Sequence, residues 1–124
     1  MTPDGFRRIA LSFSGVEERQ HMGHPDFRVG GKIFATLGYP DEQFGTVMVS
    51  PEDQSLLVRR YPKAFTPAAG AWGRSGSTSV RLRQAPARAL RIAIEAAWER
   101  RAPDPKPTRS REGLAAEKRR RRSD

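Results

Sequence analysis

From Asp26 to Leu37 the chain reads DFRV-GG-KIFATL, and no other stretch constrains the fold as tightly. Two runs rich in β-branched and aromatic residues flank Gly30-Gly31, a pair suited to the positive backbone angles of a two-residue hairpin turn. Strands joined this way are antiparallel, so an antiparallel sheet is the frame for everything else.

The rest of the chain supplies partners for that hairpin. A connection, GYPDEQFG (Gly38–Gly45), leads to a third strand, TVMV (Thr46–Val49). Ser50 then caps a helix with Pro51 in its first position and Glu52 and Asp53 behind it; Leu56, Leu57 and Tyr61 form its apolar stripe, and Pro62 ends it. Ala64–Ala68 suits an edge strand, because Pro67 lacks a ladder donor. The glycine-rich GAWGRSG (Gly70–Gly76) reads as a loop whose Trp72 packs on the sheet, and STSVRLR (Ser77–Arg83) as an alternating strand.

Helices bracket this set. Thr2-Pro3-Asp4 opens the first one with a hydroxyl cap, a proline and an acid near the positive end of the dipole. Phe6, Ile9, Ala10 and Phe13 line its buried face, and Gly15 stops it. The last helix, about Pro86–Arg101, carries Leu90, Ala93, Ile94, Ala97 and Trp98 at i, i+3, i+4, i+7 and i+8. The segment GVEERQHMGHP (Gly15–Pro25) has no clean period and reads as loop or a short irregular strand. The expected fold is α+β and two-layered: an antiparallel five-stranded sheet with helices on one face, in the order α-β-β-β-α-β-β-α.

Such a sheet leaves its other face open. If Phe27, Val29, Val80 and Leu82 meet the helices, Arg28, Arg81 and Arg83 point outward, joined by Thr46 and Met48. Arginines among a few apolar residues on an uncovered face suit a polyanion, although arginine stems also cover half-wet sheets without binding anything.

Charge divides between two parts of the 124-residue chain. Residues 1–101 carry 15 Lys/Arg against 10 Asp/Glu; residues 102–124 carry 8 against 4 and include Lys118–Arg122, KRRRR. That second part has Pro103, Pro105 and Pro107 and almost no large apolar residue besides Leu114, so it is expected to be a disordered basic tail after one folded domain at 1–101. A run of five cations attracts any polyanion without sequence selectivity.

Several chemistries are disfavoured. The absence of cysteine removes disulfides, thiolate metal sites and thiol catalysis. No apolar run matches a signal-peptide core or a membrane span, so a soluble cytoplasmic protein is expected, with no membrane partner. No serine sits in a nucleophile elbow, no paired carboxylates stand out, and GAWGRSGST lacks the Lys-Ser/Thr ending of a P-loop; no enzyme activity and no cofactor are expected.

Both histidines of the chain lie in QHMGHPDF (Gln20–Phe27). Gly23 and Pro25 deny the helix that would aim both at one ion, and no further histidine or cysteine exists, so no metal is expected. The structural reading is a loop entering a strand, with His21 or His24 bonded to a backbone carbonyl or a carboxylate. A sharper reading brings His21, His24 and Trp72 together beside Arg28 and Lys32 as a small pocket for an anion or a base.

Three stretches together resemble the MmcQ/YjbR family of small bacterial proteins: LSFSGVEERQHMGHPDFRVGGKIFATL (Leu11–Leu37), the Ser-Pro-Glu helix start at Ser50–Glu52, and GAWGRSGSTSVRL (Gly70–Leu82). The matching positions are His21, His24, Pro25, Phe27, Arg28, Gly31, Lys32, Phe34, Trp72, Gly73, Gly76, Val80, Arg81 and Leu82. Ser14 stands where a proline is common, and Gln43-Phe44 replaces the more usual glycine-tryptophan. The resemblance implies a two-layer fold of the secretion-chaperone or frataxin-like (CyaY-like) type and a DNA-binding role through a double-wing arrangement of hairpins. On that reading Arg28, Lys32, Arg74, Arg81 and Arg83 meet phosphates, Phe34 or Trp72 offers a stacking surface, and the tail adds nonspecific affinity for DNA. The alternatives are a protein-interaction or chaperone-like module, and the small-ligand pocket around His21, His24 and Trp72.

Overall fold

The glycine pair behaves as its composition requires: Gly30 and Gly31 have φ of 58° and 77° and join β2 (His24–Val29) to β3 (Lys32–Leu37). The computed structural model describes residues 1–103. Around this hairpin stand α1 (Pro3–Leu11), β1 (Glu17–His21), β4 (Phe44–Met48), α2 (Pro51–Arg60), β5 (Phe65–Pro67), a one-turn α3 (Gly70–Arg74), β6 (Ser77–Arg81) and α4 (Ala87–Arg101). The sheet is antiparallel throughout, in the order β1-β2-β3-β4-β6-β5.

Six strands, not the expected five, make this sheet. The additional one is β1, drawn from the segment without a clean period. A second two-residue turn, Met22-Gly23 with φ of 50° and 80°, folds β1 back on β2. All five residues of β1 are exposed, so neither of its faces needs an apolar pattern, and alternation cannot reveal it. Backbone pairing with β2 and the ion pair from Arg7 to Glu18, 3.0 Å, hold it in place.

Two other elements depart from expectation. The Gly70–Gly76 loop contains α3, and β6 stops at Arg81, where Leu82–Gln84 turn through a 3-10 helix. Glycine at 73 and 76 is obligatory: an added Cβ would fall on the Ala68 carbonyl oxygen at Gly73 and on the Val49 carbonyl oxygen at Gly76. The Gln54 amide from α2 ties this corner down by donating to the carbonyls of Gly73 (2.8 Å) and Ser77 (2.9 Å).

Both expected caps form. Thr2 Oγ1 accepts from the Gly5 amide at 3.0 Å, and Ser50 Oγ from the Asp53 amide at 3.1 Å. The first helix ends at Leu11 with Ser12 as its cap, earlier than Gly15. Pro67 sits on the outer strand β5, as its missing donor dictates.

The helices and the sheet enclose one core. Helix α4 lies against β3, β4 and α1, while α2 lies against β5 and β6. Phe6, Phe27, Val47, Val80, Leu57, Phe65, Leu90 and Ile94 are almost wholly buried there. Phe13 stacks on Trp98 with ring centroids 5.4 Å apart, and Trp98 Nε1 donates to the Ser14 carbonyl at 2.9 Å.

Candidate nucleic-acid interface

Cross-strand partners share a face, so the register identifies the residues left on the uncovered side. One row crosses all six strands: Arg19, Asp26, Thr36, Thr46, Ser79 and Thr66. His21 and His24 face each other across the Met22-Gly23 turn, and Phe44 faces Arg81. Thr46 and Met48 lie outward, as expected, with Val47 and Val49 buried.

Asp26 is the unexpected member of this face. Its side chain is wholly buried although no helix covers it, because its neighbours roof it over. Arg28 Nε donates to Oδ1 at 2.8 Å and Nη2 to Oδ2 at 3.1 Å, and His21 Nδ1 lies 2.7 Å from Oδ2. The Arg28 hydrogen bonds hold the Asp26 carboxyl below its ordinary range, against the upward push of burial; His21 adds a smaller lowering. The i, i+2 spacing of Asp26 and Arg28 on a strand was the signal for this pair. The expected histidine–carboxylate bond is therefore made by His21, while His24 meets the Tyr39 ring edge-on at 6.3 Å.

The cations proposed from the sequence divide between the two ends of the sheet. Arg28 and Lys32 flank the Gly30-Gly31 turn, and Arg74 closes α3, next to the start of β6 at that same end. Arg81 and Arg83 lie at the other end of β6, level with His21 and His24, since Gly38 next to His24 bonds Phe44 and Phe44 pairs Arg81. The two ends are about 13 Å apart along a five-residue strand. Lys32, Arg74, Arg81 and Arg83 are exposed and form no ion pair among the described residues. Arg28 is committed to Asp26, and Glu17 on the same face is paired with Arg19 at 3.3 Å.

Two aromatic assignments need correction. Phe34, expected as a stacking surface, is wholly buried. Strict alternation would place it outward with Thr36, but the β2–β3 register slips between Phe27 and Arg28. Ala35 then faces Phe27 and Ile33 faces Arg28, leaving Phe34 as the extra residue of a bulge that turns it into the core. Trp72 is 69% exposed rather than packed on the sheet. It belongs to the Arg74 end, so it does not join His21 and His24 in a pocket.

A concavity of about 390 Å³ lies at the Arg81 end, lined by Phe44, Pro62, Lys63, Ala64, Thr66, Arg81 and Gln84. The Arg81 guanidinium lies over the Phe44 ring, 5.1 Å from its centroid. Sequence reasoning missed Lys63, Thr66 and Gln84 because this groove joins three separate segments of the chain. No group of three or more His, Cys, Asp or Glu able to hold a metal occurs among the described residues, and no described helix is long and apolar enough to cross a membrane.

The YjbR family model matches residues 11–100, from the end of α1 to the last turn of α4. The chain belongs to the YjbR family. The match spans the sheet, the Asp26 ion pair and the groove, and stops before the basic segment. None of the curated proteins matches the chain. Among solved structures, the Deinococcus radiodurans protein DR2400, with a DUF419 domain, has the same fold at a TM-score of 0.70 and 17% identity, over 92% of this chain and 88% of that one. In this YjbR protein the register puts Arg28 and Arg81 on the open face at opposite ends, while Lys32, paired with core-facing Val29, and Arg74 and Arg83, outside the strands, lie at its margins.

Proposed function

We propose that this YjbR protein is a non-enzymatic nucleic-acid-binding module that uses the open sheet face. The observation that carries the reading is the pairing pattern on that face. Both of its carboxylates, Asp26 and Glu17, are engaged by arginines, while Arg81 on the face, and Lys32, Arg74 and Arg83 at its margins, remain without acidic partners among the described residues. Between these cations runs the hydroxyl row of Thr36, Thr46, Ser79 and Thr66, whose donors suit phosphate and sugar oxygens. Met48, Ile33 and Phe44 are only partly exposed among polar neighbours, which favours a polyanion over an apolar protein partner.

The test is fluorescence anisotropy on short single- and double-stranded DNA across a salt series, with the full chain and a variant whose Lys118–Arg122 are all glutamine. Binding that weakens steeply with salt and survives in the variant supports the reading. Loss of all binding in the variant assigns the affinity to the basic run and removes the sheet face from the function.

A further inference from the structure

The groove beside Arg81 has a chemistry of its own. Its walls carry two cations, Arg81 and Lys63, and no carboxylate. Neither cation forms an ion pair among the described residues, so their charges are unspent. Its volume of about 390 Å³ falls within the usual size of small-ligand sites. The apolar surfaces are flat or small: the Phe44 ring under the Arg81 guanidinium, Pro62 and Ala64. Gln84 adds an amide that both donates and accepts, and Thr66 a hydroxyl.

We propose that this groove binds the phosphomonoester of a nucleotide, with the base stacked on the outer face of the Arg81 guanidinium. A phosphomonoester carries close to two negative charges at neutral pH, which two unpaired cations match and a phosphodiester does not. The Arg81 guanidinium sits over the Phe44 ring, 5.1 Å from its centroid, which leaves its outer side for a base while its N–H groups donate to phosphate. Lys63 supplies the second positive charge, and the Gln84 amide faces the edge of the base. The same chemistry is offered by a free mononucleotide and by the phosphorylated end of a strand. Only the strand-end form rests on the nucleic-acid reading above.

The experiment is an NMR titration of the full-length protein with adenosine 5′-monophosphate and with adenosine. It is repeated with Lys63→Gln, Arg81→Gln and, as a control on the exposed side of α1, Arg8→Gln. The expected result is amide shifts at Phe44, Lys63, Ala64, Thr66 and Gln84 with the monophosphate. Adenosine should bind about tenfold or more weakly, and Lys63→Gln and Arg81→Gln should each lose about tenfold, the scale of one charge-assisted hydrogen bond. Arg8→Gln should leave the affinity unchanged. Equal binding of monophosphate and nucleoside, shifts confined to other residues, or no loss in Arg81→Gln would overturn the proposal.

A parallel titration with one oligonucleotide bearing either a 5′-phosphate or a 5′-hydroxyl separates the two sources. Preference for the phosphorylated strand assigns the groove to strand ends, and equal binding beside tight monophosphate binding assigns it to free nucleotides. Oligonucleotide binding by the face with no monophosphate binding sinks the groove alone and leaves the nucleic-acid reading standing.

Discussion

Arg28 grips the Asp26 carboxylate at two points, 2.8 and 3.1 Å, on the side of the sheet that no helix covers. This pair makes the protein's stability depend on pH with a definite sign. The carboxyl of folded Asp26 is more acidic than in the unfolded chain, chiefly through the Arg28 hydrogen bonds. A lowered carboxyl contributes stability that is full above the unfolded pKa and is lost as pH falls through the folded one. Urea midpoints followed by circular dichroism should therefore fall below about pH 4, the unperturbed aspartate range. Asp26→Asn should lower the midpoint at pH 6 and flatten the acid limb; an unchanged acid limb would remove the pair from the pH response.

Phe34 and Trp72 should respond to truncation in opposite ways. Phe34→Ala opens the core and is expected to cost about 3–5 kcal/mol, with nucleic-acid affinity per folded molecule unchanged. Trp72→Ala removes a ring that is already 69% exposed and should cost less than about 1 kcal/mol. Chemical denaturation of both variants, with anisotropy on the folded fraction, checks the pair of outcomes.

Two glycines with positive φ should differ in tolerance. Gly76 has φ of 114° and a carbonyl where its Cβ would stand, so Gly76→Ala should cost about 3 kcal/mol or more. Gly31, at φ of 77°, has open space around it. Gly31→Asn should cost no more than about 1 kcal/mol, since asparagine accepts the left-handed region. Thermal melts of the two variants decide this.

Salt dependence provides a count of phosphate contacts. Replacing either Arg74 or Arg81 by glutamine should reduce the slope of log affinity against log salt by about 0.7 on single strands and about 0.9 on duplex. Arg28→Gln should change stability rather than this slope, because its charge is already satisfied by Asp26. Anisotropy at four or five salt concentrations measures both.

The fold was legible wherever burial imposes a pattern. The Gly30-Gly31 hairpin, the two hydroxyl caps, the stripe from Leu90 to Ala97 and the edge position of Pro67 each follow from a local rule. Strand β1 was not, because both of its faces are solvated and pairing alone makes it a strand. Phe34 was misplaced for a different reason: a one-residue bulge inverts the face that alternation assigns, and only the partner strand reveals it. The cations were found individually, but their division between two ends depends on register. The groove depends on the Pro62–Ala64 corner meeting Phe44 and Gln84, a contact between segments far apart in the chain.

The two outer strands carry a final consequence. Strand β5 is three residues long and ends in Pro67, and β1 presents Glu17, Glu18 and Arg19 in succession. Short length, a missing donor and closely spaced charge all discourage a foreign strand from extending the ladder. Sideways growth of the sheet into fibres, or capture of an extended peptide by backbone pairing, is thereby disfavoured at both margins. Recognition is left to side chains on the open face, so a partner must be selected by its charge and shape.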